Sequence, residues 1–164
     1  YLNLKNINFY NKEVYSIITL GDPKKREKCR LEAKRKRLKL FTLVHPTAYI
    51  HDSSIVEEGC ILAPFSLIGS KSKLKKNCFV NIYSSIGHHC IVGKSSVMSP
   101  YATINGSGQS GEMTFLGTNS VITSKAKLGK YSKLDTGSVL YNKTSTNSLV
   151  SGNPAKLIFK YKKK

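Results

Sequence analysis

The chain has 164 residues, 40% of them apolar, 22% charged, and a net charge of +18. That length suits one principal domain with a small accessory unit. No apolar run reaches membrane-spanning length and nothing resembles a secretory signal, so no integral membrane segment is expected.

The charge excess favours anionic partners such as nucleotides or anionic membrane surfaces. Neither aromatic interleaving nor a known nucleic-acid motif accompanies it, so nucleic acid is not expected as a partner. Much of the excess lies between Lys24 and Lys39 and in Lys160–Lys164, which read first as a solvated helix face and a frayed tail. The four cysteines are Cys29, Cys60, Cys78 and Cys90, with no C-x-x-C pair. They read as reduced, mostly buried small residues of a cytoplasmic protein.

In chain order, residues 1–13 are too irregular to assign. The chain begins at Tyr1 rather than Met, and a further N-terminal portion is expected to precede it. Val14–Leu20 reads as an apolar strand ending at Gly21. Asp22 can cap a helix and Pro23 suits its first turn, so a helix is expected to about Arg37. Phe41–Val44 reads as a second strand, and His45-Pro46 closes the unit. Residues 1–44 are thus a partial α/β (βαβ) unit, its front end expected to be missing. Such a unit is too short to close a sheet of its own. Either it docks on the domain C-terminal to it or it is the remainder of a larger α/β domain.

From Ile50 the chain keeps a six-residue beat. Ile50, Val56, Leu62, Ile68 and every sixth residue to Leu140 make 16 positions, and all are aliphatic except Ser110. Four residues after each stands a small one, from Ser54 and Cys60 to Thr144. The residue directly after the aliphatic is often Gly, as at 69, 87, 93, 111, 117 and 129, and is read as the one that tolerates left-handed backbone at a tight corner. A fixed repeat of this kind is the mark of a solenoid. Three hexads close one triangular coil, so residues 45–144 are expected to form a parallel β-helix of about five coils. The fold class is mainly β. Beyond it, 145–164 read as a C-terminal loop and basic tail.

Most polar side chains on such a prism are simply solvated. His45 reads as structural at the junction and His51 as an exposed corner residue. His88 and His89 are adjacent at outward corner positions. An outward histidine at mid-prism can face a groove between subunits and act there as a general base.

The run Ser84-Ser85-Ile86-Gly87-His88-His89-Cys90-Ile91-Val92-Gly93 resembles the S-x-[IV]-G-H-[DE]-C-x-[IV]-G signature of hexapeptide-repeat acetyltransferases. The subfamily is that of sialic-acid O-acetyltransferases and UDP-4-amino-sugar N-acetyltransferases. Ile17-Ile18-Thr19-Leu20-Gly21-Asp22 is similar to its AIGD strand end, and Arg26 to its helix arginine. Leu43-Val44-His45-Pro46-Thr47-Ala48 is similar to its LIHPSA junction, and Gly152-Asn153-Pro154-Ala155-Lys156 to its GNPAK loop. The resemblance spans about residues 14–160 and implies a left-handed coil.

It also implies a homotrimer with sites between adjacent prisms and acetyl-CoA as co-substrate, without a metal. The acceptor would be a small-molecule sugar: an amino or hydroxyl group of a bacterial surface-sugar precursor. By the same resemblance His88 is the base, Asn81 shapes the acceptor site and the Gly106 N–H is an oxyanion donor. The pantetheine arm runs past Gly106, Thr118 and Ser124, with Asn153, Pro154 and Lys156 near the nucleotide end. Thr19, Gly21 and Asp22 remain on the acceptor side.

Two departures stand out. His89 occupies the modulator position where an acidic residue usually orients the base, and Val97 replaces a further histidine. Two other readings compete: a catalytically silent trimeric scaffold binding polyanions, and a zinc hydratase of the γ-carbonic-anhydrase type. The latter needs three histidines, whereas His88 and His89, being adjacent, are expected to point apart.

Overall fold

The computed structural model describes residues 15–162. The irregular stretch 1–13, the expected strand start at Val14 and the tail residues Lys163 and Lys164 lie outside the described residues.

The accessory unit consists of β1 (Tyr15–Ser16), α1 (Pro23–Arg35) and β2 (Lys39–Leu40). β1 and β2 pair in parallel. Asp22 caps α1, accepting the Lys25 N–H at 2.7 Å, with Pro23 in the first turn. The first strand is shorter than its apolar run suggests, because the carbonyls of Ile18 and Leu20 bond the Arg26 guanidinium instead of a neighbouring strand. The second strand is Lys39–Leu40 rather than Phe41–Val44. β3 (Leu43–Val44) pairs with Ile61–Leu62 and opens the solenoid. Val44 stands six residues before Ile50, so the hexad beat claims it.

Two-residue strands then recur every six residues, from β4 (Tyr49–Ile50) to β19 (Val139–Leu140). With β3 and the terminal hairpin they stack into three sheets of six, five and eight strands, parallel throughout except for the hairpin pair. The six rungs of one sheet, together with β3 extending the eight-stranded sheet in front, make the coil about six turns tall rather than about five. The chain ends as an antiparallel hairpin, β20 (Ser148–Gly152) and β21 (Ala155–Lys160), laid on the edge of the eight-stranded sheet. Residues 148–160 are therefore ordered sheet, not a loose tail. Their backbone groups complete a ladder that the last coil would otherwise leave open.

The aliphatic line fills the interior. Ile68, Leu74, Val80, Ile104, Leu116, Ile122 and Leu134 are fully buried, as are Cys60, Cys78 and Cys90 of the small line. Ser110, the exception on the aliphatic line, is also buried. Its hydroxyl meets that of Thr114, which bonds Ser96 at 3.0 Å, so these three hydroxyls satisfy one another.

The corner glycines have a different cause from the one expected. Left-handed φ falls three residues after the line positions from Val56 to Leu134, at Phe65 (57°), Tyr83 (55°), His89 (57°) and Tyr101 (61°) among others. The glycines directly after the aliphatics are there for space. A Cβ on Gly93 would lie 2.4 Å from the carbonyl carbon of Gly111 in the next coil. Stacking, not dihedral freedom, demands the missing side chain at these positions.

The accessory unit docks through buried polar groups. Arg26 is wholly buried. Beyond its two carbonyls in the accessory unit, it donates to the Asn77 backbone oxygen at 3.0 Å and to Asn77 Oδ1 at 3.1 Å. Asn77 Nδ2 donates in turn to Ser95 Oγ at 2.8 Å, and Ser95 donates to Glu27 at 2.6 Å. Glu27 also carries a bidentate pair with Arg30 and lies 3.5 Å from Lys94. Burial pushes the Glu27 carboxyl up. The hydrogen bonds from Arg30 and Ser95 and the charges of Arg30 and Lys94 outweigh it and hold the pKa at about 2.

The native value lies below the ordinary 4.5. The stability from Glu27 is therefore complete above pH 4.5 and is lost as pH falls toward 2. Thermal melts across that interval should show a downward slope in the wild type and a shallower one in Glu27→Gln. Equal slopes would assign acid sensitivity elsewhere.

Candidate active site

His88 and His89 lie on the corner that joins the six-stranded sheet at Ser85–Ile86 to the five-stranded sheet at Ile91–Val92. The coils on either side hold this corner. His89 N–H donates to the Ser70 carbonyl at 2.8 Å, and the His88 carbonyl accepts from Ser107 N–H at 2.8 Å. Cys90, the next residue, turns inward, and burial pushes its thiol up. The thiol beside His88 is therefore held in its neutral form.

Both imidazoles are exposed, and they converge rather than pointing apart. His88 Nδ1 and His89 Nδ1 are 3.0 Å from each other, with the rings at 87°. The left-handed φ of His89 is what turns its side chain toward its neighbour. Among the described residues no three His, Cys, Asp or Glu side chains gather at one point.

Gly106, one coil on, lies directly under the His88 ring. A Cβ there would stand 2.4 Å from His88 Nε2. Its N–H has no acceptor among the described residues. The Gly106 backbone thus packs against Nε2 and carries an N–H with no acceptor; a general base beside a free backbone donor is a combination that acyl transfer can use. Gly106→Ala should leave the fold intact, since the clashing atom ends a movable side chain. It should lower kcat about 10-fold or more by swinging Nε2 away, given that such positioning is sensitive to displacements of about 1 Å. Steady-state kinetics with circular dichroism checks both halves.

The other expected site residues fall into separate groups. Ser124 sits on the His88 corner, 36 residues on, and is exposed. Asn81 and Thr118 sit on the opposite edge of the six-stranded sheet, at the corner leading in from the eight-stranded sheet. The Asn81 side chain accepts the N–H of Ile82 at 2.8 Å.

The Asn153-Pro154 turn belongs to this second edge too. Its flanks bond there, Ser151 to Asp135 at 3.2 Å and the Gly152 N–H to Ser138 at 2.9 Å. Lys156 is exposed in the returning strand. Gly21 and Asp22 line a cavity of about 390 Å³ between the start of α1 and the eight-stranded sheet, with Phe115, Tyr131, Lys133 and Tyr161. Thr19 is exposed and does not line it. One copy of the chain therefore does not bring Asn81, Thr118 or the hairpin turn to His88.

An aromatic ladder was not anticipated from the sequence. Phe65, Tyr83 and Tyr101 are exposed and stack along the Asn81 edge, with centroids 5.0 and 5.1 Å apart. Their spacing of 18 residues, one coil, was a legible signal. Tyr49 and Leu67 of the adjoining sheet are exposed as well.

No protein-family model matches the chain, and no curated protein is similar to it. Solved structures are similar. PerB from Caulobacter crescentus, solved with CoA and GDP-perosamine, is 23% identical with a TM-score of 0.86, over 88% of this chain and 70% of that one. The acetyltransferase domain of PglB from Neisseria gonorrhoeae is 25% identical with a TM-score of 0.84, over 87% and 69%. WeeI from Acinetobacter baumannii is 26% identical with a TM-score of 0.84, over 88% and 70%. The PglB domain has also been solved with acetyl coenzyme A. The likeness covers 87–88% of this chain, which shares the hexapeptide-repeat, left-handed β-helix fold of these structures.

Proposed function

We propose that the chain transfers an acetyl group from acetyl-CoA to an amino or hydroxyl group of a nucleotide-activated amino sugar or sialic acid. The site forms between copies of a homotrimer. The observation that carries this is the division of the expected site residues between two edges of one sheet. His88, Gly106 and Ser124 line one edge; Asn81, Thr118 and the Asn153-Pro154 turn line the other. A three-fold arrangement that turns the six-stranded sheets inward apposes the two edges of neighbouring copies. The exposed Phe65–Tyr83–Tyr101 ladder with Tyr49 and Leu67 is apolar surface of the kind such an interface covers. Acetyl-CoA and the nucleotide sugar come to this reading from the ligands of PglB and PerB.

In the reaction, Nε2 of His88 takes the proton from the acceptor group as it attacks the thioester carbon. A C–N or C–O bond forms, and the carbonyl oxygen becomes an oxyanion facing the Gly106 N–H. Collapse breaks the C–S bond, and the departing CoA sulfur receives the proton from His88. Ser124 and Thr118 flank the pantetheine arm, and Asn153, Pro154 and Lys156 the nucleotide end. Asn81, with Thr19, Gly21 and Asp22, faces the acceptor. Reduced thiols and acetyl-CoA use fit a cytoplasmic enzyme.

The test is an acetyl-transfer screen of the full-length gene product over 4-amino nucleotide sugars and sialic acids, with light scattering on the same sample. Turnover by a trimer supports the reading. A monomer, or no transfer together with no rise in Tm at millimolar acetyl-CoA, overturns it.

A further inference from the structure

We propose that His89 is the positioning residue of the base. Its Nδ1 accepts a hydrogen bond from the Nδ1–H of His88 and so keeps the His88 Nε2 lone pair open over Gly106. This rests on the reading of His88 as the base.

Two imidazole Nδ1 atoms 3.0 Å apart cannot both carry a proton, and two bare lone pairs would repel. One donates and the other accepts, which leaves two arrangements. If His89 donates, His88 carries its proton on Nε2, the nitrogen over Gly106, and cannot take another there. If His88 donates, Nε2 is bare and competent. Proton uptake during turnover favours the second. When Nε2 gains a proton, the Nδ1–H···Nδ1 bond becomes charge-assisted and strengthens. In the first arrangement the same imidazolium would have to break the contact to accommodate a proton on Nδ1.

The backbone supports a built contact. His89 is locked at φ 57° by its bond to Ser70, and His88 by its bond to Ser107. A neutral imidazole thus does here what a carboxylate does elsewhere: it holds a tautomer. It differs in supplying no net charge, so the imidazolium is stabilised by hydrogen bonding alone.

The test compares His89→Ala, His89→Asn and His89→Asp in the trimeric enzyme. It measures kcat and KM for acetyl-CoA, and the tautomer of His88 by ¹⁵N NMR of the imidazole nitrogens. His89→Ala should lose at least about 10-fold in kcat, out of the roughly 10²–10⁴ that a positioned base supplies, with KM unchanged. Its His88 signal should shift toward Nε2–H. His89→Asn should restore part of the rate and the Nδ1–H tautomer. His89→Asp should match or exceed the wild type, since the carboxylate adds charge to the same acceptor.

An unchanged His88 tautomer in His89→Ala overturns the positioning role, whatever the rates. So does turnover that is lost on chelation with EDTA and regained with zinc, because the two nitrogens would then be metal ligands. Failure of the base reading has a separate signature: full activity in His88→Ala.

Discussion

His88→Ala is expected to lower kcat for acetyl transfer by about 10²–10⁴-fold, the contribution of a positioned general base. The same substitution should leave Tm within a degree or two of the wild type, because exposed side chains away from the core contribute within about ±0.5 kcal/mol. His88 is exposed, and its backbone bonds to neighbouring coils do not involve the imidazole. Binding of acetyl-CoA should persist, since the groove is lined by other corner residues. Steady-state kinetics, a melt with and without acetyl-CoA, and light scattering separate these outcomes. A variant that loses activity and trimer together would make His88 an interface residue. One that keeps turnover would remove it from the chemistry.

Arg26→Ala is expected to detach the accessory unit from the prism. The guanidinium bonds oxygens on both sides of the junction: the Ile18 and Leu20 carbonyls in the accessory unit, and the Asn77 backbone and side chain in the solenoid. Each buried acceptor left without a donor costs about 1–3 kcal/mol, and the buried apolar area between the two units is small. Ile18 and Ala33 are the only buried apolar side chains among the described residues of the unit apart from Pro23. Lysine does not replace it, since one compact ammonium nitrogen cannot reproduce the planar fork by which Nε, Nη1 and Nη2 reach these separate acceptors.

Limited proteolysis should therefore cut Arg26→Ala between residues 15 and 42 while the hexad core remains protected. Circular dichroism should lose helix without losing strand. Uniform protection would show that the unit is held elsewhere. If the Asp22 loop contributes to acceptor binding, KM for the sugar should rise with little change in KM for acetyl-CoA.

Part of this molecule was legible residue by residue. The aliphatic line placed the bulky interior side chains from Leu62 to Leu140, because a closed coil admits only one bulky residue per edge. The same spacing placed His88 outside and Gly106 one coil on. It did not show that Val44 already belongs to the coil, since Val44 also completes an apolar run with Phe41 and Leu43. Nor did it explain the corner glycines. A glycine before a left-handed residue and a glycine beneath another backbone look alike in one dimension. The clash that distinguishes them comes from residues 18 positions away.

The terminal hairpin and the His88–His89 contact were hidden for a related reason. Strand pairing of Ser148–Gly152 is specified by the open edge at Lys133–Leu134, not by its own pattern. Adjacent residues point apart in a regular strand, but a left-handed φ at His89 turns the second ring back toward the first.

Sequence alone thus determined the repeat, the core and the outward position of His88, because each depends on a period that the chain writes out directly. Only the tertiary structure decided what holds the accessory unit, which nitrogen meets His88 Nδ1, and that the expected site residues lie on two edges of one sheet. Those are contacts between atoms far apart in the chain or around a corner. Their partners are chosen by stacking and hydrogen-bond satisfaction, and local sequence preference does not encode them.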